Sequence, residues 1–96
     1  MKLSGACELV CMLNALNNGY NYFSWSYNED DDGIKVIIND HVYEFSVKMM
    51  GLHDCLELTS ILDEIKDGAK LTDWLFSDNN GIVMDVDGVS HLFEVS

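Results

Sequence analysis

Two stretches of this chain carry a turn signal and an apolar alternation that demand the same strand register, and this coincidence constrains the fold more than any other feature. Asp87-Gly88 is a strong two-residue hairpin turn, because both central positions of a type I′ turn need positive φ and this pair tolerates it. A turn there sets Val86 against Val89, Met84 against His91 and Ile82 against Phe93, all on one face of a hairpin spanning 82–95. Residues 34–48 behave in the same way around Asn39-Asp40, which opposes Ile38 to His41, Val36 to Tyr43 and Ile34 to Phe45. A one-residue slip would turn either apolar set towards water.

Helical periodicity appears twice. Residues 5–17 read as a helix capped by Ser4 or Gly5, with Glu8 in its first turn and Asn17-Asn18-Gly19 as its stop. Residues 55–67 read as a second helix, with Asp54 and Glu57 as a capping box and Leu58, Ile61, Leu62 and Ile65 as its buried stripe. Between the first helix and the first hairpin, residues 20–28 alternate Phe23, Trp25 and Tyr27 with Ser24, Ser26 and Asn28, the pattern of a strand with one wet face. Thr72 caps a short helical turn over Asp73-Trp74-Leu75-Phe76. The predicted order is α-β-β-β-α-(short α)-β-β. It implies an α+β fold in which an antiparallel five-stranded sheet carries two helices and one short helix on one side. Residues 1–96 form a single domain with no repeat, linker or low-complexity segment.

Composition narrows the function. Seventeen Asp and Glu stand against five Lys and no Arg, a formal charge of −12 over 96 residues, while 48% of residues are hydrophobic. The apolar fraction supports a folded core under a charged exterior. Without Arg the chain lacks the residue best suited to grip phosphate, so direct nucleic-acid binding is disfavoured. A field of this sign also repels anionic membranes and attracts basic surfaces. No apolar run approaches a membrane span and no charged segment plus apolar run opens the chain, so the expected setting is cytoplasmic. An odd cysteine count, Cys7, Cys11 and Cys55, fits no closed disulfide framework and agrees with a reducing compartment.

Catalytic and metal motifs are weak. Asn28, Asp30, Asp32 and Gly33 match the early positions of a calcium loop, but Asn39 stands where a bidentate Glu is required and the flanks read as strands. Cys7, Cys11, His53 and Cys55 lack the usual zinc spacing. Cys7 near a helix start and His91 on a late strand could form a thiol–imidazole pair, but both cysteines of the first helix read more simply as small apolar residues, and His91 and His41 as core histidines. The expectation is a protein with no cofactor, no metal and no catalytic residues.

The acids are placed unevenly. Between Leu3 and Ile34 stand Glu8, Glu29, Asp30, Asp31 and Asp32 with no base, and between Leu71 and Ser96 stand Asp73, Asp78, Asp85, Asp87 and Glu94, again with none. Asp85 and Asp87 are expected on one outer strand face, roughly 6.6–6.8 Å apart, similar to phosphates along a nucleic-acid strand. Glu44 and Glu94 also point outward in the predicted registers. Glu29, Asp30, Asp31, Asp32, Glu44, Asp85, Asp87 and Glu94 are therefore the predicted partner-binding residues. Ile37, Val42, Val83 and Leu92 alternate outward among them, which suits an interface with an apolar centre and also leaves homodimerisation open.

Small size, strong acidity and a compact α+β domain without a catalytic motif resemble the phage-encoded inhibitors of host defence, above all the anti-CRISPR proteins that are similar to nucleic acid in charge. The resemblance covers the whole chain but rests on size and composition, so it transfers no residue. It implies a non-enzymatic protein in the host cytoplasm that binds a CRISPR–Cas effector and blocks DNA access. Acidic immunity proteins that neutralise nuclease toxins share the signature. A small Cys-His enzyme is the alternative from another class.

Overall fold

The computed structural model describes residues 1–28, 30, 32–77 and 81–95. Its elements run α1 (Leu3–Asn17), β1 (Phe23–Asn28), β2 (Gly33–Ile38), β3 (His41–Ser46), α2 (Val47–Met50), α3 (Leu52–Lys66), β4 (Leu71–Ser77), β5 (Gly81–Val86) and β6 (Val89–Phe93). The strands form two separate antiparallel sheets, β1-β2-β3 and β4-β5-β6. The fold is α+β as expected, but the single five-stranded sheet is wrong.

The error originates at residues 73–76. Instead of a helical turn they lie within β4, which pairs with β5 through Trp74↔Met84 and Phe76↔Ile82. A four-residue helix has almost no intrinsic stability. The extended alternative puts Trp74 and Phe76 against the core and sends Leu75 outward. With this extra strand the C-terminal hairpin completes a sheet of its own. Conversely, residues 47–48, expected as the end of a strand, belong to the short helix α2, because the Ser46 side chain accepts the Met49 N–H at 3.1 Å and caps it.

The hairpins have the registers that their turns demand. Ile38 faces His41, Val36 faces Tyr43 and Ile34 faces Phe45. Val86 faces Val89, Met84 faces His91 and Ile82 faces Phe93. The helix starts differ from expectation, whereas α1 stops at Asn17 and α3 at Lys66, where the sequence places their ends. α1 begins at Leu3 with Lys2 at the cap position and no side-chain cap, because the Lys2 N–H bonds to the Met49 carbonyl at 2.8 Å and so starts the helix early. Gly5 is then an interior residue, small because Met49 and Met50 pack against it. α3 begins at Leu52 after Gly51, and Asp54 stands in its first turn and not at its cap.

The chain is an internal repeat, which the sequence reading missed. Each unit is a fifteen-residue helix followed by three antiparallel strands. The buried residues Ala6, Leu9, Met12, Leu13 and Leu16 of α1 recur at constant offset as Cys55, Leu58, Ile61, Leu62 and Ile65 of α3. Trp25↔Val36↔Tyr43 across the first sheet matches Trp74↔Met84↔His91 across the second. The hairpin turns match as well. Asn39 Oδ1 accepts the Asn21 and Tyr22 N–H groups ahead of β1, and Asp87 Oδ1 accepts the Lys70 N–H ahead of β4. Few identities survive between the units. What persists is the burial pattern, which many apolar residues can satisfy.

The three helices and the inner sheet faces share one core, built from residues of both units. α1 touches β2 and β3 of its own unit and β4 of the other, and α3 touches β1 and β2. The molecule is flat, 32 × 31 × 19 Å. Because the helices cover the inner faces only, the outer faces of the two sheets are left bare.

Candidate functional site

The two outer faces present different chemistry on the same frame. On the first sheet the rows across the strands are Ser26–Lys35–Glu44 and Ser24–Ile37–Val42. The Lys35 ammonium lies 3.8 Å from the Glu44 carboxylate, so the charged row neutralises itself. On the second sheet the corresponding rows are Leu75–Val83–Leu92 and Asp73–Asp85–Ser90. Leu75, Val83 and Leu92 are 68%, 39% and 50% exposed. Asp73 and Asp85 are direct cross-strand partners, an arrangement in which like charges repel. Asp85 accepts the Ser90 hydroxyl and Asp73 accepts the Trp74 N–H, so hydrogen bonds hold both carboxylates in place.

Among the described residues, the predicted partner-binding acids do not gather into one surface. Asp30 and Asp32 lie between β1 and β2; Asp30 donates its N–H to the Asn28 side chain, and Asp32 adopts φ 47°. Glu29 and Asp31 lie outside the described residues. Glu44 is on the outer face of the first sheet, beside Lys35. Asp85 lies on the outer face of the second. Asp87 does not continue that row, because β5 ends at Val86 and Asp87 is the first turn residue, with φ 49° and its carboxylate drawn back to the Lys70 N–H. Asp85 and Asp87 therefore do not share one outer strand face. Asp85 stands instead directly across from Asp73, a pairing that exists only because residues 71–77 are a strand. Glu94 is exposed past the end of β6, and its carbonyl accepts the amino group of Met1 at 2.9 Å.

The thiol and imidazole groups are also placed differently from expectation. Cys7 and Cys11 are exposed and only Cys55 is buried. Burial, reinforced by the Asp54 carboxylate, pushes the Cys55 thiol above its ordinary value of 9.0. His41, at the hairpin tip, is exposed with its ring tilted against Tyr43, and is not a core residue. His91 is largely buried, but its Nδ1 lies 3.2 Å from Glu57 Oε1 and its Nε2 has no hydrogen-bond partner among the described residues. Glu57, expected to close a capping box, thus reaches across to β6. Its counterpart in the first unit, Glu8, reaches β3 and accepts the Glu44 N–H at 3.1 Å. Neither glutamate serves its helix end; each joins its helix to the third strand of its unit. His91 therefore partners a carboxylate, and no described contact joins it to Cys7.

Among the described residues no three His, Cys, Asp or Glu side chains are grouped to hold a metal ion. Asn28 and Gly33 flank the acidic loop on strands β1 and β2, as the sequence suggested, so the loop is not framed by helices. A shallow depression on the first sheet is lined by Ser26, Asn28, Lys35, Glu44, Phe45 and Ser46. No helix among the described residues is long and apolar enough to cross a membrane. No protein-family model matches the chain, and no curated protein or solved structure matches it either.

Proposed function

We propose that the protein acts without catalysis, by binding a basic surface of a nucleic-acid-binding protein, and that its target is a CRISPR–Cas complex whose access to DNA it blocks. The observation that supports this is how little of the acidity the molecule neutralises for itself. With a net charge of −12, the only Lys–carboxylate contact among the described residues is Lys35–Glu44, and no charged residue among them is buried. A surface carrying this much uncompensated charge gains from a partner of opposite sign, chiefly in association rate and selectivity. It also repels DNA and RNA, so the attraction is to the protein that holds them.

The test is the affinity for a purified Cas effector complex across about 0.05–0.5 M salt, a range over which the Debye length falls several-fold. Affinity should drop steeply with salt, and charge reversal at Asp73 and Asp85 should weaken it further. Salt-independent binding, or no binding at any salt, rejects this target. Salt-sensitive binding to a nuclease toxin in place of the effector would exchange the target and keep the mode of recognition.

A further inference from the structure

We propose that the outer face of the second sheet is the docking face, and that it takes a basic amphipathic segment of the partner protein, with an apolar side chain on the Leu75–Val83–Leu92 row and Lys or Arg on Asp73 and Asp85. The proposal rests on the function above and names the surface that performs it.

The repeat supplies the internal control. Position for position, Leu75, Val83 and Leu92 stand where the first sheet has Ser26, Lys35 and Glu44. The frame thus accepts a polar, self-neutralising row at these three positions, and nothing in the fold requires leucine and valine there. The same holds for the acids: Asp73 and Asp85 stand where the first sheet has the neutral pair Ser24 and Ile37. On one face, therefore, the second unit carries an exposed apolar row and an adjacent like-charge pair. Each is unfavourable in the free protein, and neither is imposed by the architecture. Both are relieved by one kind of occupant. An apolar side chain would cover a row that spans about 10 Å over three strands, and cations roughly 7 Å to one side would meet the aspartates. An apolar centre with a charged rim is the usual anatomy of a protein–protein interface. A second copy of the chain fits poorly, since it would bring another net charge of −12 against the aspartates.

Two peptide probes test this with the intact protein. One is an amphipathic peptide with leucines along one face and lysines at its borders; the other has the same charge with serine in place of each leucine. The wild type should bind the leucine peptide about tenfold or more tighter, from burial of the row, and amide NMR shifts should concentrate on residues 73–75, 83–85 and 90–92. The exchange variant Leu75→Ser/Val83→Lys/Leu92→Glu installs the residues of the first sheet and leaves the net charge unchanged at −12. It should retain the wild-type melting curve, bind the serine peptide as before and lose the preference for leucine. If the triple variant unfolds, Leu75→Ser alone provides the test, because Leu75 is 68% exposed on an edge strand. An unchanged leucine preference, or shifts confined to the first sheet, overturns the proposal. If Asp73→Lys/Asp85→Lys loses both peptides while the row exchange has no effect, the charge-driven function stands and the apolar docking face falls. Sedimentation showing a dimer that the row exchange dissolves would assign the face to a second copy and also overturn the proposal.

Discussion

Replacing Gly81 with alanine probes how the second sheet closes on itself. Gly81 opens β5 with φ +106°, in the region that L-residues rarely adopt, at a cost of about 1–3 kcal/mol for a side chain held there. An added Cβ would also overlap the Phe93 carbonyl oxygen and come within 2.9 Å of the Glu94 Cα. Those are backbone atoms at the end of β6, whose partner Ile82 follows Gly81 directly, so the clash cannot be relieved by a rotamer change and must shift the strand pair. The two effects together should cost about 3 kcal/mol or more, a large part of the roughly 5–14 kcal/mol expected for a domain of this length. Gly88 provides the control. Its φ is +84°, but nothing lies within 4 Å of an added Cβ, so Gly88→Ala should cost only about 1 kcal/mol for its conformation. In thermal melts followed by circular dichroism, Gly88→Ala should lower the midpoint by about 4–8 °C, and Gly81→Ala by about 12 °C at least or to an unfolded chain. Equal midpoints for the two variants would refute the close approach of β6 to Gly81.

Three further outcomes follow from the geometry. Asp40 sits in the second position of the first hairpin turn at φ 73°, so Asp40→Gly should raise stability by about 0.5–1 kcal/mol in urea titration. Asn39→Ala should lower stability by about 1–2 kcal/mol, because it removes the acceptor of two backbone N–H groups at 2.9 and 3.1 Å; a loss no larger than that of an exposed surface alanine would show that the turn does not pin the chain before β1. In the native protein alkylation should label the exposed Cys7 and Cys11 and spare the buried Cys55, as counted by mass spectrometry. Folding raises the Cys55 thiol above 9.0, so its contribution is fully present below pH 9.0 and is lost as pH rises through the folded value; the urea midpoint should decline above pH 9.0 by less in Cys55→Ala than in the wild type.

Features set by contacts close along the chain are legible from the residues alone. Both hairpin registers were legible because a two-residue turn allows one pairing and the alternation of Ile34, Val36 and Ile38, or of Ile82, Met84 and Val86, allows the same one. The α3 stripe was legible because its period is helical and local. What these pieces join depends on contacts distant along the chain. Residues 71–77 are a strand because β5 lies beside them, a partner that no local propensity reveals, and that one strand converts a single sheet into two. The repeat follows from the same cause. It lies in which positions are buried, and burial is known only once the core exists. The candidate site was half visible. Val83 and Leu92 were correctly read as outward, and Asp85 as an outward acid. Their companions Leu75 and Asp73 stayed hidden in the misread segment, and Asp87 was assigned to a strand that the turn had already ended. Net charge is additive over residues and can be counted from the sequence; a docking face depends on side chains brought together across three strands, and only the folded chain brings them there.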